Sequence, residues 1–167
     1  YSERGFLRLK IDSLSKTETK EALKQKSLEW SKESIDKIFE YTQGYSYFVQ
    51  EYGRHIYDYV YLIIVVKLPV NITQQTVEEV HSSVIESLNR DFFSQRFEKL
   101  PNSQINYLKV MASFDAKEVD TKLLNKKMNK SARQNSPLRS RLINSALIYS
   151  DKEGKLAFTV PMCRDYI

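Results

Sequence analysis

Four glycines and four prolines are all that break up a chain of 167 residues. With so few breakers, hydrophobic periodicity has long runs to act on, and long helices are expected. Hydrophobic residues at 41% and charged ones at 28% suit a soluble globular chain and argue against disorder. The single Cys163 excludes an internal disulfide and a multi-cysteine zinc site, and it points to a reducing, cytoplasmic setting. His55 and His81 are too few and too far apart to read as a metal pair. The most apolar run, Val60–Val66, falls well short of the roughly 18–20 residues a membrane span needs.

Capping signals mark where the helices begin. An opening segment with Phe6, Leu7, Leu9 and Ile11 around Arg8 and Lys10 reads as extended. Ser15, with Glu18 three residues on, has the capping-box spacing, so one charged helix is expected through "KTETKEALKQKSLEW". Ser31 and Ser34 offer the next caps, and Ile35, Ile38 and Phe39 repeat at helical spacing until Gly44 ends the helix. The aromatic run Tyr45, Tyr47, Phe48, Tyr52, Tyr57, Tyr59, Tyr61 could be a base-stacking platform. A helical core with tyrosine hydroxyls at the surface is the commoner arrangement. After Pro69, Thr73 caps a helix carrying Val77, Val80, Val84, Ile85 and Leu88 that continues towards Leu100.

Pro101 and Asn102 mark a boundary. Beyond it, Ile105, Leu108, Val110, Met111 and Phe114 predict a short helix. Val119, Leu123, Leu124 and Met128 predict a second. "SARQN" reads as a polar connection to a third helix, Ser136–Leu147, with Ser136 as its cap and Pro137 in its first position. "ALIYS" and "KLAFTV" are strand candidates joined by the turn "DKEG". The fold class expected is mainly α: a helical bundle, then a winged helix-turn-helix with a small β-hairpin. The expected divisions are residues 1–14 as a link, 15–100 as a helical domain and 101–167 as the winged helix-turn-helix.

Charge is unevenly spread. From Pro101 onward lie 12 of the 26 Lys/Arg but 6 of the 21 Asp/Glu, a balance of +6 against −1 for the first hundred residues. A basic domain attracts polyanions, nucleic acid first among them. An independent active site is not expected. Glu78/Glu79 and Asp151/Glu153 read as solvated charges, Cys163 has no adjacent His, and no G-x-x-x-x-G-K-[ST] motif occurs to cradle phosphates.

The stretches "FEYTQGYSYFVQEYGRHIYD", "LNRDFFSQRFEKLPNSQINYLKVMASF" and "PLRSRLINSALIYSDKEGKLAFTVPMCRDYI" occur in that order. Together they resemble the C-terminal half of a prokaryotic AAA+/STAND-type ATPase, a group related in layout to the origin-initiator ATPases. The resemblance implies a helical lid followed by a winged helix. The P-loop and the magnesium-holding acids would then lie upstream of Tyr1, in a longer protein that binds ATP and magnesium; no cofactor is expected in the residues present. It also implies that residues 1–14 end the ATPase core and its link into the lid. Tyr45 and Ser46, at the start of a lid helix, would sense the nucleotide, because free N–H groups at a helix N-terminus favour anions.

Two partners are open for the winged helix. For double-stranded DNA, Arg139, Ser140 and Asn144 on the third helix would reach base edges, where Arg suits guanine and Asn adenine, and Arg141 belongs to the same DNA-binding set. Lys130 and Arg133 ahead of that helix, and Lys152 and Lys155 in the wing, would contact phosphates; Asp151 and Glu153 oppose this. For a protein, the same surface would hold the upstream ATPase core in an off state or couple it to an effector. The fragment is expected to be non-catalytic and monomeric.

Overall fold

Capping residues set the helix starts in the N-terminal half, as the spacing predicts. At the head of α1 (Lys16–Ala22), Ser15 and Glu18 each accept the other's backbone N–H. Ser31 opens α2 (Lys32–Thr42), and Thr73 with Thr76 opens α4 (Gln74–Leu88). Between them runs α3 (Ser46–Ile63). The structure, a computed structural model, describes residues 13–25, 27–63 and 69–167. The alternating segment Phe6–Ile11 and most of the expected 1–14 link lie outside the described residues.

The core of this half follows helical period. Phe48, Tyr52, Ile56 and Val60 fall every four residues on α3 and meet Val77, Val80, Val84 and Leu88 of α4 and Ile35 and Ile38 of α2, all buried. Leu23, the C-cap of α1, closes against Gly53 of α3, where a Cβ would stand 2.8 Å from Leu23 Cδ2. The aromatic run is thus divided. Tyr52 is buried, whereas Tyr57 and Tyr61 are exposed and stack on each other at 5.9 Å.

One helix through "KTETKEALKQKSLEW" is not what forms. α1 stops at Ala22, and Leu28–Trp30 is a strand, β1. It pairs in parallel with β2 (Val70–Ile72), Leu28 opposite Val70 and Trp30 opposite Ile72. Leu28 and Ile72 go inward while Glu29 and Asn71 stay exposed, the period-two pattern of a strand.

α4 runs on, as expected, but through a π-helical turn (Asn89–Phe93) into α5 (Ser94–Phe97). The two phenylalanines of this turn both reach Phe48, and each has a further partner of its own. Phe92 lies against Tyr47 at 5.4 Å and Phe48 at 5.1 Å on α3. Phe93 stacks on Tyr166 at 4.9 Å, and Phe97 stands 5.1 Å from the same ring. Tyr166 belongs to α9 (Cys163–Tyr166), the last element, so this rod joins the two halves.

After Pro101 come α6 (Asn102–Ala112), β3 (Val119–Asp120), α7 (Thr121–Lys127), α8 (Ala132–Asn144), β4 (Ile148–Tyr149) and β5 (Lys155–Phe158). The strands form one antiparallel sheet in the order β3–β5–β4, with Val119 opposite Leu156 and Ile148 opposite Phe158. Two expectations need correction. Val119 begins no helix; it is a buried strand residue, and Asp120 caps α7 by accepting from Lys122 N at 2.8 Å. The third helix begins at Ala132, not after Ser136. Ser131 and Gln134 form a reciprocal capping box there, so "SARQN" is the cap and first turn. Pro137 sits inside the helix on its exposed side, where water can take the carbonyl its missing N–H leaves without a partner.

Candidate nucleic-acid interface

The α7–α8 corner is built by its backbone. Met128 N–H bonds Leu124 O at 2.9 Å, and Asn129 N–H bonds Lys126 O at 3.1 Å. Asn129 takes φ 53, the left-handed conformation common at helix ends. Lys130 N–H then reaches back to Asn125 O at 3.0 Å, folding the chain against the last turn of α7. A side-chain bond locks the two helices together. Asn135 is 2% exposed, and its Nδ2 donates to Asn125 Oδ1 at 2.7 Å.

On α8, Asn135 and Leu142 are buried and Leu138 half-buried. Arg133, Pro137, Ser140 and Asn144 follow one another at spacings of four, three and four on the opposite face, and all four are exposed. Arg141 is exposed beside them. Four of the expected contact residues, Arg133, Ser140, Arg141 and Asn144, therefore share the outward side of one helix, with Lys130 just ahead of it. Arg139 is different. It lies on the inward flank, half-buried, and its charge acts on Tyr107 of α6. Burial pushes the Tyr107 hydroxyl up to about 12, and the Arg139 charge partly offsets that rise.

The lysines of the β4–β5 hairpin are also placed differently from the helix cations. Lys152 Nζ lies 3.1 Å from Glu118, and Lys155 Nζ lies 3.3 Å from Asp120. Asp120 is held below the ordinary carboxylate range, first by the Lys122 backbone N–H it caps and then by Lys155. Lys122, Lys126 and Lys127 were absent from the expected contact set. All three are exposed on α7, and Lys127 stands over the Phe114 ring at 4.7 Å. From Thr121 to Ser150 there are seven Lys/Arg and no Asp/Glu, a signal visible in the sequence once the window is drawn around the helix pair.

Tyr45 and Ser46 sit at the head of α3. Tyr45 is half-buried, its ring 4.8 Å from Phe48 and 6.0 Å from Phe92, while Ser46 is exposed. Further along, α3 and α4 share a polar network. Ser83 Oγ meets His55 Nδ1 at 3.0 Å, and Arg54 bonds Glu51 at 2.7 Å and Ser87 at 3.2 Å. Burial, then the Arg54 charge, hold His55 below its ordinary range. The neighbours of Ser83 are in mid-helix, where backbone N–H groups are committed to the helix and cannot form an oxyanion hole. Among the described residues, no group of three or more His, Cys, Asp or Glu could hold a metal, and no helix is long and apolar enough to cross a membrane.

A family model described as a domain of unknown function (DUF8462) matches residues 90–167. No curated protein and no solved structure matches the chain. The matched span begins inside the π-helical turn, ahead of Pro101. It thus takes in Phe93 and Phe97 together with Tyr166, the ring they pack on.

Proposed function

We propose that residues 101–167 form a winged helix that binds double-stranded DNA through the outward side of α8. The observation that carries this reading is the helix pair α7–α8, where seven cations and no carboxylate occur between Thr121 and Ser150. The element order helix, strand, helix, helix, strand, strand and the sheet order β3–β5–β4 support the winged-helix part. In this reading Arg133, Ser140, Arg141 and Asn144 meet the major groove, and Arg139 supports the helix from behind. The preceding helices would be the lid of an AAA+/STAND-type ATPase, with Tyr45 and Ser46 near its nucleotide. That part rests on the sequence resemblance alone.

The test is binding to a labelled mixed-sequence duplex over a salt series. Each phosphate neutralised steepens the fall of log K with log salt by about 0.9, so a steep slope is expected, weakened by Arg133→Ala and Arg141→Ala. Negligible binding at low salt overturns the reading. One observation favours a protein partner instead: Leu123 of α7 is 56% exposed and Ile143 of α8 is 37% exposed, apolar groups a protein surface would cover. Binding of the chain to a separately expressed ATPase core would support that alternative.

A further inference from the structure

We infer that the α7–α8 corner, and not the hairpin wing, is the phosphate anchor of this domain, with Lys122, Lys126 and Lys130 gripping the duplex backbone beside α8. The inference rests on the DNA reading above and adds which residues hold the polyanion and from which side.

Local charge separates the two candidate anchors. The wing turn from Asp151 to Lys155 carries two lysines and two acids, and its lysines already face Glu118 and Asp120. Across those six side chains the balance is two cations against four carboxylates. A phosphate approaching the hairpin meets net negative charge, and each lysine would have to leave a partner to contact it. At the corner, Lys122, Lys126 and Lys130 are exposed, and among the described residues none has a carboxylate within ion-pair distance. Their charge is available to an incoming polyanion.

Geometry makes the corner an anchor rather than a loose charge run. Lys122 and Lys126 are one helical turn apart on α7, on the side away from buried Leu124. The Lys130 N–H to Asn125 O bond holds Lys130 against the end of that same helix. The Asn135–Asn125 bond fixes α7 to α8, so the lysines keep one position relative to the outward side of α8. Phosphate contacts of this kind set register and orientation while the neighbouring helix reads base edges. Lys127, held over Phe114, is left out of the set.

The experiment compares salt slopes for the full chain and three double variants on one labelled duplex. Lys126→Ala with Lys130→Ala removes two anchors at exposed sites, and circular dichroism confirms that the helices persist. The slope should become shallower by about 1.8, and affinity at about 0.1 M salt should fall about 60-fold, by counterion release. Lys126→Arg with Lys130→Arg should restore both. Glu118→Ala with Lys152→Ala deletes a wing pair without changing net charge, and should leave slope and affinity as in the parent chain. If the parent chain binds steeply but the wing variant loses the slope while the corner variant keeps it, the anchor assignment is overturned and the DNA reading stands. If the parent chain binds no duplex at low salt, the DNA reading falls and the assignment with it.

Discussion

Gly44 offers the sharpest test of how the N-terminal half is held together. It lies between α2 and α3 with φ 74, and Leu14 N–H donates to its carbonyl at 2.8 Å. A Cβ on Gly44 would stand 2.0 Å from Leu14 O and 3.0 Å from Leu14 C. Both are backbone atoms, so no side-chain rotation relieves the clash. Gly44→Ala therefore carries two costs. The left-handed conformation costs an L-residue about 1–2 kcal/mol. Pushing Leu14 away loses its backbone hydrogen bond, worth about 1 kcal/mol net, and disturbs the chain just before the Ser15 cap. The sum is about 2–3 kcal/mol, a large part of the roughly 5–15 kcal/mol that holds a typical domain. At about 2–4 °C per kcal/mol for a chain of this size, Tm should fall by about 4–12 °C. Thermal unfolding followed by circular dichroism measures this. Gly44→Asn separates the two costs, because Asn tolerates positive φ but still carries the Cβ. It should recover only part of the loss. A Gly44→Ala protein within about 0.5 kcal/mol of the parent would refute the close approach itself.

Two further outcomes follow from buried groups. Cys163 is 3% exposed, and burial pushes its thiol up to about 12; a disulfide reagent should label it only under denaturing conditions, and fast labelling of the folded chain would contradict its packing. His81 accepts or donates to Tyr52 Oη through Nδ1 at 2.5 Å and stacks on Tyr41 at 4.1 Å, and burial, then the Lys37 charge, hold it below its ordinary range. Folding thus disfavours protonated His81. Its contribution to stability is full above the unfolded value near 6.5 and is lost as pH falls through it towards the lower folded value, so Tm should drop between about pH 7.5 and about pH 5. His55 is shifted the same way and adds to the drop. His81→Gln should flatten part of this dependence, and a parent chain with constant Tm over that range would count against both placements.

Local signals were legible in the sequence where a structure depends on near neighbours. The Ser15–Glu18 box and the Ser31 and Thr73 caps act within a turn or two, and each forms as read; the aromatic run expected to supply a helical core does so through Phe48 and Tyr52. What escaped depends on distant partners. The three residues of β1 are a strand because Val70–Ile72 lies alongside, and the two residues of β3 are one because β5 does. Neither is long enough to declare itself by alternation. The start of α8 failed for another reason. Ser136, followed by Pro137, reads as a cap in sequence, and Ser131 reads only as part of a polar connection. The Ser131–Gln134 box and the Asn125–Asn135 bond favour Ser131, and a proline on the solvent side of a helix costs less than losing both.

The same division runs through the candidate interface. That the C-terminal region is basic can be counted from the sequence. Which cations are available to a partner cannot, because pairing is set by contacts the count does not contain. Lys152 and Glu118 are 34 positions apart, and Lys155 and Asp120 are 35 apart, yet the hairpin lays each pair side by side. These pairs leave the hairpin lysines facing carboxylates, although in sequence they look as free as Lys126 or Lys130. Arg139 shows the converse. Its residue type suits a base contact, but its place in the helix period, four residues after buried Asn135 and three before buried Leu142, turns it inward towards Tyr107. Residue type proposes a contact, and helical phase decides whether it can be made. On that criterion the residues to substitute first are Arg133, Ser140 and Asn144, and Arg139→Ala should lower stability before it changes any affinity.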